Sequence, residues 1–342
     1  MNYSAILLND LENVIGDTAI PWEQLQGHSI LVTGATGMIG RGCVRVLGLL
    51  NKSHNYNMKI YAMGRNLEKG AELAQMPDVQ FIQADIKDSF DIKEKIDYVI
   101  HCAAVTKSSE MLSNPVGVIE TELAGSKNAL EFARLNACKG FLYTSSMESY
   151  GVLDLPDVKE ENQGYIDITN PRSSYPMCKR MIESLCTCYW FQYKVPTKIV
   201  RLGMVFGAGE EFFNDKRVWA QFTNCAFKKN PIVLHTEGKS LRSFTYLSDA
   251  LKGIFLTLLS SSGGEIYNIA THSCEIREFA ENVANKYKLK VEIAPPENIK
   301  QLGYAKEYKL PLNSDKIRAL GWKPQITKVE DMVERVICEA MI

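Results

Sequence analysis

The chain has 342 residues, 46% of them hydrophobic and 23% charged, and a formal net charge of -1 at pH 7. This composition is typical of a globular protein with one large domain or two closely joined ones, and it offers no basic surface for nucleic acid. The nine cysteines and five histidines show no metal-ligand spacing, so we expect reduced thiols and no metal site. Residues 1–27 lack the basic start and apolar run of a signal peptide, and no apolar run reaches the ~18 residues that span a bilayer. We therefore expect a soluble cytoplasmic protein that acts on a small molecule, with no nucleic-acid or membrane partner.

The first predicted strand, residues 29–33, leads directly into a glycine-rich turn that continues as a helical pattern. The turn has the spacing G-x-x-G-x-x-G. Glycines at a strand-to-helix turn let the backbone approach a pyrophosphate, whose charge then meets unpaired amide N–H groups at the helix N-terminus. The spacing therefore predicts a dinucleotide site, and the alternative is a tight turn with a structural role alone. The predicted cofactor contacts in this segment are Gly34, Thr36, Gly37, Met38, Ile39 and Gly40.

Three more predicted strands follow, and the residues after them extend the predicted cofactor site. The second strand ends at Gly64 and Arg65 without a carboxylate for the ribose hydroxyls of the adenosine. Arg65 could instead bind the 2'-phosphate of NADP, so both NAD and NADP stay candidate cofactors; the alternative is that Arg65 is only a solvated charge in a loop. The third strand ends where the adenine is expected, and the fourth, which contains His101 as an expected packed residue, ends in small residues that suit close passage beneath a cofactor. The predicted contacts here are Arg65, Asp85, Ile86, Ala103 and Ala104.

Candidate catalytic residues follow the fifth predicted strand, residues 140–144. Ligands of open α/β sheets bind beyond the carboxyl ends of the strands, so Ser146 and Glu148 should face the same crevice as the glycine turn. The alternative is a serine-rich loop that caps a helix. Farther on, Tyr175 and Lys179 are four residues apart, on one face of a predicted helix. The ammonium would lower the pKa of Tyr175 and make it a usable base, although this spacing also occurs by chance in exposed amphipathic helices.

The alternation of strands and helices predicts an α/β fold, a Rossmann doubly wound parallel sheet with a smaller C-terminal substrate-binding lobe. We assign residues 28–204 to the NAD(P)-binding Rossmann domain, with residues 1–27 packed on it as an N-terminal extension. Residues 205–342 form mainly the substrate-binding lobe, and about 240–270 return to the Rossmann domain. No repeat or flexible linker marks a clean boundary between them.

The order of these motifs resembles the extended short-chain dehydrogenase/reductase superfamily, which comprises nucleotide-sugar epimerases, dehydratases and decarboxylases. The motifs are the glycine turn, Ser-Ser-x-Glu-x-Tyr-Gly and Tyr-x-x-x-Lys. The likeness runs over roughly residues 28–340 and is closest to the UDP-glucuronate decarboxylases (UDP-xylose synthases). The stretches that carry it are 172–175 with 179–180, 214–218, 241–249, 267–268 and 320–324.

The resemblance implies transient oxidation of a nucleotide-diphosphate sugar at C4 by a tightly bound NAD or NADP. Tyr175 would be the base, Lys179 its electrostatic partner and an anchor for the nicotinamide ribose, and Ser146 a hydrogen-bond partner of the sugar oxygen. Hydride leaves C4 for the nicotinamide, and the resulting ketone permits epimerisation, elimination or loss of a C5 carboxylate. Arg217 and Arg242 would meet the diphosphate or the sugar, with surface salt bridging as the alternative. A homodimer through a four-helix contact that includes the Tyr175 helix is also implied.

Several positions depart from the pattern of this superfamily. Dehydratases usually have Thr-Asp-Glu, and decarboxylases Thr-Ser-Glu, where this chain has Ser-Met-Glu at residues 146–148. Met147 cannot donate a proton to a leaving hydroxyl, which disfavours dehydration, whereas Glu148 could act at C5. Met204 replaces a phosphate-contacting Asn, and Glu122 and Ser126 stand where Asn and Thr are usual. We expect an enzyme most like a UDP-glucuronate decarboxylase, with an epimerase as the alternative. Further alternatives are a 4,6-dehydratase, a reductase that releases its cofactor, and an NAD(P)-binding regulatory protein without catalysis.

Overall fold

The computed structural model describes residues 3–90, 92–209, 212–295 and 308–341. Seven strands form one parallel sheet, in which all neighbours are hydrogen-bonded in parallel register. They are β1 (Ser29–Thr33), β2 (Lys59–Gly64), β3 (Val79–Gln83), β4 (Tyr98–His101), β5 (Gly140–Ser146), β6 (Thr197–Leu202) and, later in the chain, β10 (Glu265–Ile269). The spatial order is β10-β6-β5-β4-β1-β2-β3. This order confirms the predicted Rossmann fold class, and it reverses direction between β1 and β4, where ligands of such sheets bind.

Helices cover both faces of this sheet, and others pack elsewhere. In chain order they are α1 (Ala5–Ile15), α2 (Met38–His54), α3 (Leu67–Ala74), α4 (Ser108–Ser113), α5 (Pro115–Leu135), α6 (Ser174–Tyr193), α7 (Val218–Lys228), α8 (Leu247–Ser260), α9 (Ile276–Tyr287), α10 (Asp315–Ala319) and α11 (Val329–Ala340). On one face α1, α2 and α8 bury an apolar core against the sheet, and on the other face α5 and α6 bury a second. Both faces of β1 are therefore buried, which explains its uninterrupted apolar sequence.

A third apolar core is formed by residues after β6, chiefly from α7, α9 and α11. It also holds the remaining short strands, which form a three-stranded sheet in the order β11-β9-β7 and a parallel pair β12-β8. These strands are β7 (Met204–Phe206), β8 (Ile232–Leu234), β9 (Leu241–Tyr246), β11 (His272–Glu275) and β12 (Val291–Ile293). Between these strands the chain supplies α8 and β10 to the large sheet layer. The domain division near residue 204 stays a prediction, because the chain passes between the cores more than once. Within the described ranges, none of the helices has the length and apolarity needed to cross a bilayer.

Candidate active site

A cavity of about 930 Å³ lies at the carboxyl ends of β1, β4 and β5, between the large sheet and the third core. It is lined by sixteen of the predicted site residues: Gly34, Thr36, Gly37, Met38, Ile39, Gly40, Arg65, Asp85, Ile86, Ala103, Ala104, Ser146, Glu148, Tyr175, Arg217 and Arg242. The remaining one, Lys179, is not among the described residues that line it. The structure also brings in residues that we did not predict to be site residues, including Lys69, Arg172 and Tyr308.

The glycine turn forms a cradle in which positions 34 and 40 have no room for a side chain. Gly34 has φ +67°, and a Cβ atom there would lie 2.6 Å from the backbone nitrogen of Ala103. A Cβ atom on Gly40 would overlap the carbonyl oxygen of Gly34 and lie 2.8 Å from its carbonyl carbon. Helix α2 begins directly after this turn, without a side-chain cap from Gly37. The uncapped first turn of a helix is a site for an anion, so the cradle fits the pyrophosphate of a dinucleotide.

The end of β2 presents cations to the cavity. The side chain of Arg65 is 65% exposed, and its guanidinium lies 3.7 Å from the carboxylate of Asp85. Asn66 caps α3 by accepting a 2.9 Å hydrogen bond from the amide of Lys69. Lys69 also lines the cavity. Gly64 passes so close to Thr36 that a Cβ atom would lie 3.0 Å from the threonine side chain. This part of the cavity therefore holds two cationic residues and one carboxylate.

Tyr175 lies in the first turn of α6, and only 7% of it is exposed. It lines the cavity together with Ser146, the last residue of β5. The hydroxyl of Ser146 accepts a 3.2 Å hydrogen bond from the amide of Glu148. Ser146 also lies near enough to Tyr175 to lower the pKa of its phenol slightly. Ser146 and Tyr175 therefore line the same cavity at the carboxyl end of the sheet.

Lys179 lies behind Tyr175 in the protein interior, with only 1% of its surface exposed. Its ammonium is 5.4 Å from the centroid of the Tyr175 ring and 4.8 Å from that of the Tyr143 ring. It donates a 3.2 Å hydrogen bond to the carbonyl of Thr144 and lies 3.4 Å from a carboxylate oxygen of Glu122. Burial lowers the pKa of Lys179, but Glu122 and Tyr175 outweigh it, so the pKa is raised and the side chain is an ammonium.

The pKa of Tyr175 is raised, whereas the motif alone predicts that it is lowered. Burial raises it most, because a phenolate is poorly solvated in the interior. Lys179 lowers it, as predicted, but Glu122 and Glu148 raise it again. The spacing of Tyr175 and Lys179 in the sequence predicts the effect of the ammonium on the pKa. It cannot predict the effect of the two carboxylates, because they belong to other segments of the chain.

Glu148 forms a bidentate ion pair with Arg172, at 2.7 and 3.1 Å. Both side chains are only about one-fifth exposed, at 22% and 21%. Both carboxylate oxygens of Glu148, which was predicted to act at C5 of the sugar, are thus held by the guanidinium of Arg172. Arg172 belongs to the Arg-Ser-Ser-Tyr stretch, so its position beside Tyr175 was the signal that could have identified it.

The two predicted substrate arginines line the cavity with partners of their own. The guanidinium of Arg242 lies 3.6 Å from the centroid of the Tyr308 ring and donates a 2.8 Å hydrogen bond to the carbonyl of Tyr308. Burial, with a contribution from nearby Arg172, lowers the pKa of Arg242. Arg217 pairs with Asp215, to which its Nε donates a 2.8 Å hydrogen bond. In the described part of the chain, no group of three or more His, Cys, Asp or Glu side chains could hold a metal ion.

Comparison with known proteins gives the family. Human dTDP-D-glucose 4,6-dehydratase is 27% identical over 325 residues, which are 90% of this chain and 89% of the human protein. UDP-N-acetyl-alpha-D-glucosaminuronate decarboxylase of Bacillus cytotoxicus is 25% identical over 308 residues, covering 89% of this chain and 91% of the relative. The solved structure of UDP-glucose 4-epimerase from Thermotoga maritima has the same fold, with a TM-score of 0.77 at 19% identity over 92% of this chain and 98% of the epimerase. The model of the NAD dependent epimerase/dehydratase family matches residues 30–270, and the chain therefore belongs to this family.

Proposed function

We propose that this protein is a nucleotide-sugar enzyme that oxidises its substrate transiently at C4, most like a UDP-glucuronate decarboxylase. The observation that carries the proposal is that Tyr175 and Ser146 line the same cavity as the glycine cradle. The family and the names of the relatives, which specify dTDP and UDP sugars, support the substrate class.

Each hydroxyl has a role in moving one proton. Tyr175 takes the proton of the sugar C4 hydroxyl and later returns it, while Ser146 holds the same oxygen by a hydrogen bond. Lys179 stabilises the phenolate form from behind. A dinucleotide supplies the hydride acceptor and donor when it is bound in the cradle of Gly34 and Gly40. We propose NAD, tightly bound, and Arg65, with no carboxylate at the end of β2, supports NADP as the alternative.

Two features favour decarboxylation over dehydration. Met147 is 5% exposed and offers no proton for a leaving hydroxyl. Arg172 and Arg242 line the cavity, and planar guanidinium groups suit recognition of a sugar carboxylate. We propose an epimerase as the second candidate, because Arg172 holds both oxygens of the carboxylate that a C5 reaction would use.

We further propose that the enzyme is a cytoplasmic homodimer that pairs through α5 and α6. These neighbouring helices expose several large apolar side chains, a pattern typical of a protein interface. They are Val116, Ile119, Leu135, Met177, Met181, Phe191 and Tyr193. We propose that the nine cysteines are reduced thiols, as a reducing compartment would keep them.

The decisive experiment identifies the cofactor and the product. Denaturing the purified protein should release NAD or NADP, since a cofactor regenerated in place need not leave. Incubation with UDP-glucuronate should then yield carbon dioxide and a UDP-pentose, whereas an isomeric sugar would favour the epimerase. Tyr175→Phe should lower kcat by about 10³-fold while the dinucleotide stays bound, because the variant removes the proton-transfer group alone.

The control is Tyr189→Phe, on the same helix, where the hydroxyl donates to Glu131 outside the cavity. It should retain kcat within a factor of about two. Unchanged turnover in Tyr175→Phe would refute the assigned role of Tyr175, and the absence of any dinucleotide or nucleotide-sugar turnover would refute the proposed function.

A further inference from the structure

The helix that carries Tyr175 is joined to the sheet by a buried carboxylate, that of Glu183. Glu183 is 4% exposed and lies two turns after Tyr175 in α6. Its Oε1 accepts a 2.5 Å hydrogen bond from the hydroxyl of Ser145, which directly precedes Ser146 in β5. A carboxylate is rarely buried unless a cation and a hydrogen-bond donor hold it. Here the donor belongs to the strand whose last residue lines the cavity with Tyr175.

The cation that holds this carboxylate is Arg201, in the neighbouring strand β6. Its Nε donates a 3.0 Å hydrogen bond to Oε1 of Glu183, and its Nη2 donates a 2.7 Å hydrogen bond to Oε2. Arg201 is 5% exposed and lies opposite Ser145 in the parallel register of β5 and β6. Its Nη1 donates a 2.8 Å hydrogen bond to the carbonyl of Glu160, and its guanidinium lies 4.4 Å from the centroid of the Tyr150 ring. One side chain of α6 is therefore bonded to two adjacent strands, close to the carboxyl end of each.

These polar contacts fix the position of α6 along the sheet more narrowly than apolar packing does. Apolar residues of α6 pack in the second core, but the hydrophobic effect is non-directional and permits small shifts of a helix. Charge-assisted hydrogen bonds are short and directional, and a bidentate pair adds geometric specificity. Lys179 adds its hydrogen bond to the carbonyl of Thr144. Helix α6 is thus joined to β5 at two consecutive residues, immediately before Ser146.

We propose that Glu183 is a positioning residue that holds α6 where Tyr175 and Ser146 can reach one sugar oxygen. The inference rests on the proposed function, which makes Tyr175 the base and Ser146 its partner at the C4 oxygen. Glu183 is not among the described residues that line the cavity, so it acts on the reaction only through the position of α6. A displacement of about 1 Å between reacting groups can lower a rate by about 10²-fold.

The test removes the buried pair without leaving a buried charge. Removing one partner leaves the other charge uncompensated, whereas replacing both by apolar residues of similar volume is often neutral or stabilising. The double variant Glu183→Met/Arg201→Met uses an unbranched, adaptable side chain at both positions. Its midpoint of thermal unfolding should stay within about 5 °C of the wild type. With UDP-glucuronate its kcat should fall by about tenfold or more, while KM should stay within a factor of about three, because only the geometry of proton transfer changes.

A matched control is the buried ion pair of Lys252 with Asp17, beside the first core on the other face of the sheet. The two charged groups are 3.6 Å apart, and their side chains are 3% and 16% exposed. Neither residue is among the described residues that line the cavity. The double variant Asp17→Asn/Lys252→Met neutralises this pair and should retain kcat within a factor of about two. Equal losses of kcat in the two double variants would overturn the proposal.

A measurement without turnover separates this inference from the proposed function. Crystal structures of the wild type and of Glu183→Met/Arg201→Met give the distance between the hydroxyl oxygens of Tyr175 and Ser146. We expect this distance to change by about 1 Å. An unchanged distance overturns the proposal, as does an unchanged kcat. If the distance changes but the wild type converts no nucleotide sugar, the proposed function fails and the positioning by Glu183 stands.

A milder variant covers the case in which the double variant does not fold. Ser145→Ala removes the hydrogen bond from β5 to Glu183 and leaves the ion pair with Arg201 in place. Its kcat should fall by about threefold, and Ser145→Thr, which restores a hydroxyl, should recover the loss. A wild-type kcat in Ser145→Ala would overturn the proposal, as would a Ser145→Thr variant as slow as Ser145→Ala.

Discussion

The cavity has two walls that differ in what fixes their shape. The glycine-turn wall, residues 34–40 with Ala103, is main chain packed against main chain. The arginine wall, defined here as Glu148, Arg172, Arg242 and Tyr308, is built from side chains that pair with one another. The first wall keeps its shape whatever is bound, because its backbone atoms are packed directly against other backbone atoms. The second wall can rearrange, because a ligand anion can compete for each guanidinium.

The largest effect should come from adding one methyl group to the glycine-turn wall. A Cβ atom at Gly40 overlaps the carbonyl oxygen of Gly34, whereas a Cβ atom at Gly37 would lie 3.3 Å from the same oxygen. We expect Gly40→Ala to lower the free energy of unfolding by about 3 kcal/mol, as overpacking of a rigid site does. Gly37→Ala is the matched control and should cost about 1 kcal/mol, the typical difference at a helix N-cap. Urea unfolding of both variants measures this, and equal losses would contradict a rigid wall.

The free energy of unfolding should depend on pH through His101, which is buried beneath the glycine-turn wall. His101 is 1% exposed and hydrogen-bonds with Thr33 at 2.7 Å and Ser126 at 3.0 Å. Burial lowers its pKa from 6.5 to about 3, so the folded state stays neutral at pH values where the unfolded state takes up a proton. This contribution to the free energy of unfolding is complete above pH ~6.5 and is lost as the pH falls toward 3, by about 1.4 kcal/mol per pH unit.

His101→Asn removes the titrating group and serves as the comparison. Between pH 6.5 and 5, the wild type should lose about 2 kcal/mol more of its free energy of unfolding than the variant does. Thermal or urea unfolding at the two pH values gives the difference. Parallel losses in the two proteins would mean that the pKa of His101 is the same in the folded and unfolded states, which would contradict its lowered pKa.

The same contrast explains what the sequence predicts. The strand, the glycines and the helix are contiguous, so their spacing alone predicts both the Rossmann sheet, which the structure confirms, and the glycine cradle. The bounds were less accurate, because β5 extends through Ser146 where the sequence predicts an end at residue 144. By contrast, Glu122 meets Lys179 across 57 positions, and Arg242 stacks on Tyr308 across 66. Only the folded chain determines which distant charges meet, which is why the raised pKa of Tyr175 could not be predicted.

The smallest expected effect is a change in ligand affinity that involves the arginine wall and not the glycine-turn wall. Arg172→Met removes both hydrogen bonds to Glu148 and leaves a carboxylate, 22% exposed, without its cation in the cavity. An uncompensated carboxylate repels an anionic ligand, so the affinity for UDP-glucuronate should fall about tenfold, or about 1.4 kcal/mol. The affinity for the dinucleotide should stay within a factor of about two, because the glycine-turn wall does not use this side chain.

Calorimetric titration measures both affinities in Arg172→Met: the dinucleotide is titrated into protein stripped of bound cofactor, and the nucleotide sugar into the protein as purified. Arg134→Met is the matched control, since Arg134 is also paired bidentately, with Glu131, but does not line the cavity. It should leave both affinities unchanged. A loss of dinucleotide affinity in Arg172→Met equal to the loss for the sugar would show that the walls are coupled. The arginine wall would then belong to the same rigid unit as the glycine turn, and the pairing of Glu148 with Arg172 would have to be explained as part of the cofactor site.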